Sequence, residues 1–169
     1  MQRLRGAAGV AVALALVLTG CSGGSGDDAD TGFAADVRAA VAAVDAERGP
    51  GQEFFEVTAT PALTNVFVAV EDATAVVAYV YRDGVLEEPA PVQSGASGFT
   101  FTADAIAFDD DAVLSDIAGE LPDSVIQSLS VEGGANDTVR YVVSVLSDAG
   151  GVLDITVGAD GTVLSVDPV

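Results

Sequence analysis

The sequence contains no histidine, no lysine and no tryptophan, and it has a single cysteine. Without histidine there is no Ser-His-Asp or Cys-His nucleophile system and no imidazole ligand for a metal. Without lysine there is no Schiff-base enzyme and no lysine-bearing phosphate loop. Carboxylate chemistry is the remaining catalytic option, and no spacing among the acids selects a pair. We therefore expect a protein that is not an enzyme and that has no cofactor and no metal site.

Positive charge is scarce as well. Six arginines stand against 26 aspartates and glutamates, a formal net charge of −20. Removal of residues 1–20 would take Arg3 and Arg5 but no acid, leaving −22. Such a charge repels phosphate backbones and anionic lipid headgroups, so neither nucleic acid nor an acidic membrane surface is an expected partner. Adaptation to high salt remains an alternative reason for part of this acidity.

The N-terminus has the order of features of an export signal. Arg3 and Arg5 precede an apolar run over 6–18, which is too short for a permanent membrane helix but fits the core of a signal peptide. The run ends in Leu18-Thr19-Gly20-Cys21, which resembles the lipobox of bacterial lipoproteins. The resemblance implies that Cys21 becomes the first mature residue and carries acyl chains such as palmitate. We predict a signal peptide over 1–20, a lipidated Cys21 beginning a flexible acidic tether over 21–32, and attachment to the outer face of the cell membrane.

The remaining sequence alternates between helical and strand-like patterns. Apolar residues from Phe33 to Val44 at helical spacing predict a helix over 31–48, and a second such stripe predicts a helix over 113–121. Pro122 predicts a further helical turn up to Leu129. Period-two runs predict strands at 55–59, 66–70, 76–80, 139–146, 151–157 and 162–166. Asp83-Gly84 and Asp160-Gly161 each predict a two-residue hairpin turn.

The two cycles of helix and strands resemble each other. A shift of 77 residues places 65–92 over 142–169 without a gap, and seven of those 28 positions are identical. We therefore expect an α+β fold made of two related units, each a helix packed on an antiparallel sheet. The first unit would cover 33–97 and the second 98–169.

The first hairpin supplies the candidate partner surface. In the second copy the side chains of one strand face are polar, whereas the corresponding face of the first copy is apolar and aromatic. We predict a partner-binding surface there, with a competing interpretation in which the other half of the protein covers this face. Its residues are Val77, Tyr79, Tyr81, Arg82 and Leu86.

Asp109-Asp110-Asp111 stands just before the second predicted helix. Three consecutive acids point in different directions, whereas calcium loops use alternate acids around a glycine turn. Capping of the helix start explains the cluster better than a metal site does.

Three resemblances bear on fold and location. The final strands joined by Asp160-Gly161 and ending at Val166 are similar to the end of PepSY-type domains in secreted and lipid-anchored bacterial proteins. The doubled helix-plus-sheet plan resembles the tandem architecture of the beta-lactamase inhibitory protein family. The lysine-free chain, rich in alanine and valine, is similar to small lipoproteins of high-GC Gram-positive bacteria, many of unknown function. These resemblances imply a fold and a location but transfer no activity.

Together these features favour a lipid-anchored, extracytoplasmic binding or modulating module without catalytic activity. Its partner would be a protein or a small molecule at the cell surface. Two alternatives remain open. One is a carrier of an apolar small molecule or lipid, in which Ala40, Ala78 and Ala118 leave room between helix and sheet. The other is a carboxylate-dependent hydrolase of the cell envelope.

Overall fold

The computed structural model describes residues 32–110 and 112–169. The predicted signal peptide, Cys21 and the tether up to Thr31 lie outside the described residues. Within this range the chain forms two α-helices and ten β-strands, in the order α1 (Ala34–Arg48), β1 (Glu53–Ala59), β2 (Thr64–Val70), β3 (Ala75–Arg82), β4 (Val85–Leu86), β5 (Gln93–Ser94), β6 (Phe101–Thr102), α2 (Ser115–Glu120), β7 (Ser124–Gly133), β8 (Val139–Ser147), β9 (Val152–Val157) and β10 (Val163–Pro168).

All ten strands belong to one antiparallel sheet. The order across it is β10-β9-β8-β7-β1-β2-β3-β4, with β5 also paired to β3 and β6 to β1. The two halves of the chain therefore join edge to edge through β1 and β7, where Val57 lies opposite Val131. The expected α+β fold class is confirmed, and the sheet is the larger part of the fold.

Helix α1 covers one face of the first half of the sheet. Its buried stripe is formed by Ala34, Val37, Ala40, Val41 and Val44. Asp36 lies in the first turn and Arg48 in the last, each at the end where its charge complements the helix dipole. Gly49, with φ of 99°, ends the helix in a conformation that favours glycine. The helix predicted over this segment is confirmed.

The segment from 103 to 121 covers the same face of the second half. Its buried side chains are Ile106, Phe108, Val113, Leu114 and Ile117. The helix in it, α2, has only six residues, shorter than the stripe over 113–121 predicts. Gly119 within α2 and Pro122 just beyond it both disfavour a longer helix. One core joins the two halves.

The helical turn predicted from Pro122 to Leu129 is wrong, because β7 begins at Ser124. Ile126 and Leu129 are both buried and lie three residues apart. In a regular strand, side chains on the same face are two or four residues apart. A β-bulge between Ile126 and Ser128 adds one residue to the strand and changes its alternation. The bulge therefore gives a strand the spacing of a helical turn.

Arg38 on α1 holds the two parts of the helical layer together. It forms an ion pair with Asp110 and also donates to the carbonyl oxygen of Phe108. Its guanidinium carbon lies 4.5 Å from the centre of the Phe108 ring. That ring meets Tyr141 of β8 edge-on at 5.3 Å. The neighbouring Asp109 carboxylate accepts a 3.1 Å hydrogen bond from the backbone N–H of Ala112, so it caps this turn.

The two hairpin predictions have different outcomes. Asp83-Gly84 is a two-residue turn, with positive φ at both residues and Tyr81 opposite Leu86. The Asp160-Gly161 loop is longer, because Val157 lies opposite Val163 and Gly158 donates a backbone hydrogen bond to Thr162. The two-residue turn predicted at Asp160-Gly161 is therefore wrong.

Candidate binding surface on the outer face of the sheet

The predicted partner surface on β3 lies in the core instead. Val77 is 5% exposed and Tyr79 is 2% exposed, both on the face that α1 covers. Arg48 at the end of α1 donates a 3.2 Å hydrogen bond to the Tyr79 hydroxyl, which satisfies the polar end of this buried ring. The prediction of an exposed tyrosine face is wrong for these two residues. The competing interpretation is correct that this face is buried, but the cover is α1 of the same half and not the other half of the protein.

The other members of that predicted surface lie at the margin of the core. Tyr81 and Leu86 are partly buried and pack against it. Arg82 is exposed and forms an ion pair with Glu87 at 3.4 Å. Tyr81 and Leu86 therefore line the rim of the helix–sheet interface, Arg82 points to the opposite side of the sheet, and the three form no free aromatic surface.

The error has a definite origin in turn length. Six residues, 70–75, separate Ala69, which the shift of 77 places over Leu146, from its partner Val76. Five residues, 147–151, separate the paired Leu146 and Val152. A shift of 77 without a gap keeps β2 over β8 but displaces β3 by one residue against β9. A displacement of one residue exchanges the two faces of a strand, and so the faces of β3 were assigned in reverse.

The register defines a second face on the opposite side of the sheet, here called the outer face. Inward residues such as Val57, Val66, Tyr79, Val143 and Ile155 face the helices. The residues between them point outward. In the described part of the chain both helices lie on the inner face and pack into its core, so the outer face has no helix over it.

On strands β1 to β3 the outer face is largely apolar. Its outward side chains, here called the apolar half-face, are partly exposed: Phe55, Phe67, Ala69, Val76, Ala78 and Val80. They are cross-strand neighbours, since Phe67 lies opposite Ala78 and Ala69 opposite Val76. Toward the end of this face at the β3–β4 turn the outward side chains are polar: Thr58, Asn65 and Arg82. The apolar half-face is therefore continuous over three strands.

On strands β7 to β10 the same face is polar. These outward side chains, here called the polar half-face, are Ser128, Ser130, Ser144, Asp154, Thr156, Ser165 and Asp167. They bond to each other, as the Ser144 hydroxyl does to Asp154 at 2.7 Å and the Ser165 hydroxyl to Asp167 at 3.2 Å. Apolar exceptions are Val142 and, at the far end, the cross-strand neighbours Val125, Leu146 and Val152, of which Val125 and Leu146 are exposed.

Two carboxylates meet where the half-faces join, at a place here called the seam. Glu56 of β1 lies directly opposite Glu132 of β7, an arrangement that like charges disfavour. Glu132 is paired with Arg140 of β8, whose Nε donates at 3.1 Å. This bond, more than any other contact, raises the pKa of Arg140. Glu56 accepts only a hydrogen bond from the Thr58 hydroxyl and forms no ion pair with any described residue.

Aromatic rings adjoin the seam on the apolar side. Phe67 lies opposite Glu56, and a β-bulge between Phe54 and Glu56 places Phe55 next to them. Phe99, 59% exposed, lies in the loop that passes Phe55. That loop is pressed against β7, because a Cβ on Gly133 would lie 2.3 Å from the Phe99 carbonyl oxygen. Glycine at position 133 thus allows the loop to pack closely here.

The remaining candidates offer less. An open cleft of about 520 Å³, lined by 120–124 and 147–149, includes Glu120, Asp123 and Asp148 and suits no apolar ligand. Of the alanines considered for a carrier, Ala40 is fully buried and Ala78 lies on the outer face. The described residues include no group of three acids placed to hold a metal ion. Neither described helix is long and apolar enough to cross a membrane.

Comparisons with known protein families and with curated proteins find no match for this chain. The candidate surface therefore depends on its own geometry. The sequence contained a sign of the apolar half-face, because one strand is apolar on both sides, at Val66, Phe67, Val68 and Ala69. Such a pattern is typical of strands covered on both faces. In this structure the helices cover only one of them.

Proposed function

We propose that this protein is a lipid-anchored, extracytoplasmic binding module without catalytic activity, and that it binds a partner protein through the outer face of its sheet. The observation that carries the proposal is the apolar half-face on β1 to β3. It spans three strands, and no helix of the described chain covers it. Contiguous apolar surface of this kind usually marks an interaction site in a soluble domain.

The lipobox-like Leu18-Thr19-Gly20-Cys21 supports the anchored location. Two or more acyl chains would hold the protein at the membrane, because one chain alone binds only weakly. We expect Cys21→Ala to move the protein from the membrane fraction to the soluble fraction. Retention of Cys21→Ala in the membrane would contradict the anchor.

We also propose that the two halves are related units. The support is the order of elements: α1 and then β1 to β4 on one side, and α2 and then β7 to β10 on the other, mirrored about the β1–β7 pair. An experimental structure should superpose β1–β3 on β7–β9 with a one-residue gap in the 147–151 turn. Failure of β3 to superpose on β9 with that gap would count against duplication.

The binding proposal is tested by affinity capture with surface variants. The full-length chain, purified in detergent and immobilised, would be exposed to envelope and secreted proteins of its own organism. The test variant is Phe67→Ser/Val80→Ser, which gives the apolar half-face the residues of the polar half-face. We expect capture of the partner to fall at least about tenfold, a change of roughly 1.4 kcal/mol in binding free energy.

The matched control is Ser128→Ala/Thr156→Ala on the polar half-face, which we expect to retain the partner. Circular dichroism and urea unfolding would establish that both double variants fold. A partner retained equally by the natural chain and by Phe67→Ser/Val80→Ser would contradict the assignment of the surface. Loss with both double variants would place the binding site across the whole outer face.

A further inference from the structure

We infer that the partner is a basic protein that places an arginine or lysine side chain on the seam, between Glu56 and Glu132 and against the Phe67 ring. The inference rests on the proposed binding function of the outer face. It adds the chemistry of the partner and the position of one charged contact.

The first observation is that the four arginines of the described residues already have partners within the chain. Arg38 and Arg82 are paired with Asp110 and Glu87. Arg48 bonds to Gln52 at 2.9 Å and to the Tyr79 hydroxyl. Arg140 is paired with Glu132. No arginine of the described chain remains to neutralise Glu56, so a complementary charge has to come from a partner.

The second observation is the geometry of the seam. Residues directly opposite in an antiparallel pair have their Cβ atoms about 4.5–5.5 Å apart. Glu132 therefore lies on one side of Glu56 and Phe67 on the other, in one row across three strands. A guanidinium group has the donors to bridge two carboxylates and a planar face that stacks on an aromatic ring. The row offers both kinds of contact.

The third observation is that the seam already holds one guanidinium. Arg140 reaches Glu132 from the polar side, while Glu56, on the apolar side, has only the Thr58 hydroxyl. Arg140 would therefore compete with an incoming cation for Glu132. This competition predicts opposite effects for Glu56→Gln and Arg140→Gln. Net charge alone would give the same two signs, so the charge-matched control and the amide shifts described below are what place the contact at the seam.

The same charges disfavour a second copy of this chain as the occupant. Two mature chains would each carry a formal charge of −22, and two seams facing each other would bring four glutamates together. A basic partner is attracted to this acidic chain instead of repelled, and long-range attraction increases its association rate. Its cation then lies beside the glutamates of the seam.

The first test compares three single variants of the full-length chain in the capture experiment. Glu56→Gln should lower retention of the partner about tenfold, whereas Arg140→Gln should raise it, because Glu132 is released. The control Glu47→Gln makes the same change of charge as Glu56→Gln on the exposed surface of α1 and should leave retention unchanged. Raising the salt concentration should weaken capture.

The second test needs no identified partner. Argininamide and its uncharged analogue citrullinamide would be titrated separately into the isotopically labelled full-length chain, with backbone amide shifts followed by NMR. We expect argininamide to shift the amides of Phe55, Glu56, Phe67 and Glu132, and citrullinamide to leave them in place. Equal shifts with both compounds, or seam shifts no larger than those at the Glu71–Asp72 turn, would overturn the inference.

The outcomes separate the two proposals. If Phe67→Ser/Val80→Ser abolishes capture while Glu56→Gln and Arg140→Gln change nothing, the outer face binds a partner but the basic contact is wrong. If none of these variants alters capture, the outer face is not the binding surface and both proposals fail. If the only protein captured is a second copy of this chain, the inference of a basic partner is also wrong.

Discussion

The two halves of the outer face share one sheet and one backbone pattern, yet they differ in chemistry. On β7 to β10 the outward positions carry mainly serine, threonine and aspartate, and neighbouring side chains bond to each other. On β1 to β3 the equivalent positions carry phenylalanine, valine and alanine. The inner face shows no such difference, because both halves bury valines and larger apolar side chains there.

This comparison separates two demands on a strand. The inner face has to fill a core, and apolar burial of about 25 cal/mol per Å² of surface favours the same residue types in both halves. Neither helix of the described residues packs on the outer face, so the stability of this part of the chain alone would favour polar residues there. The polar half-face fits that expectation. The apolar half-face departs from it, and binding of a partner is the reason that we propose.

The largest expected effect distinguishes the inner face of β1 to β3 from their outer face. Tyr79→Ala removes a fully buried ring and the acceptor for Arg48, and we expect it to lower the free energy of unfolding by about 3–5 kcal/mol. Phe67→Ala on the outer face should cost less than about 2 kcal/mol, because that ring is partly exposed already. Urea unfolding of both variants measures the difference. Equal losses would mean that the outer face is covered as well.

The next prediction concerns the crossing of the 99–100 loop at β7. A Cβ on Gly133 would meet backbone atoms of Phe99 and Thr100, which cannot rotate away as a side chain would. Gly133→Ala should therefore destabilise the protein by about 1–3 kcal/mol. The control Gly119→Ala places a Cβ in open space within α2 and should stabilise it by about 0.5–1 kcal/mol. Thermal unfolding would measure both, and a harmless Gly133→Ala would show that the loop does not press on β7.

A smaller effect concerns the polar exception on the inner face. The Thr64 hydroxyl is fully buried and has no hydrogen-bond partner among the described residues. Thr64→Val keeps the shape and removes this unsatisfied group, so we expect no loss and a gain of up to about 1–2 kcal/mol. The matched control is Thr60→Val, which loses the hydroxyl bonds to Leu63 and should cost about 1 kcal/mol. Destabilisation by Thr64→Val in urea unfolding would indicate a partner for that hydroxyl.

The smallest effect lies in the β9–β10 loop at the end of the polar half. The backbone N–H of Thr162 donates to the Asp160 carboxylate at 3.1 Å, which lowers the pKa of Asp160 in the folded protein. A depressed folded pKa means that the contribution to stability is full above the unfolded value of about 3.9. It is lost as pH falls through the folded pKa. Carboxyl NMR titration should give a midpoint below the ordinary aspartate value, and a midpoint above it would contradict the bond.

Much of the fold follows from local patterns in the sequence. The stripe from Phe33 to Val44 predicts α1, and the period-two runs predict β2, β3, β8 and β9. Asp83-Gly84 predicts a two-residue turn, and both residues have positive φ. These elements were predictable because each pattern lies within one element and reports its own burial.

The errors arose where one added or missing residue changes a register. The bulge near Ile126 adds a residue and disguised β7 as a helical turn, whereas the 147–151 turn is one residue shorter than its counterpart and so reversed the assigned faces of β3. The seam was not predictable either, because Glu56 and Glu132 meet only through the pairing of β1 with β7. Pairings between distant segments leave no local periodicity, so the sequence indicated a binding surface on this hairpin but on the wrong face.

Hydroxyl-radical footprinting in the intact cell envelope is the most direct test that a partner covers the apolar half-face. The full-length chain would be labelled once in intact cell envelopes and once after purification in detergent, and the oxidation of each phenylalanine compared. We expect Phe67 and Phe55 to be protected from oxidation in the envelope. Leu164 on β10, which is 65% exposed, should be oxidised equally in both samples. Equal oxidation of Phe67 in the two samples would contradict the claim that a partner covers the apolar half-face.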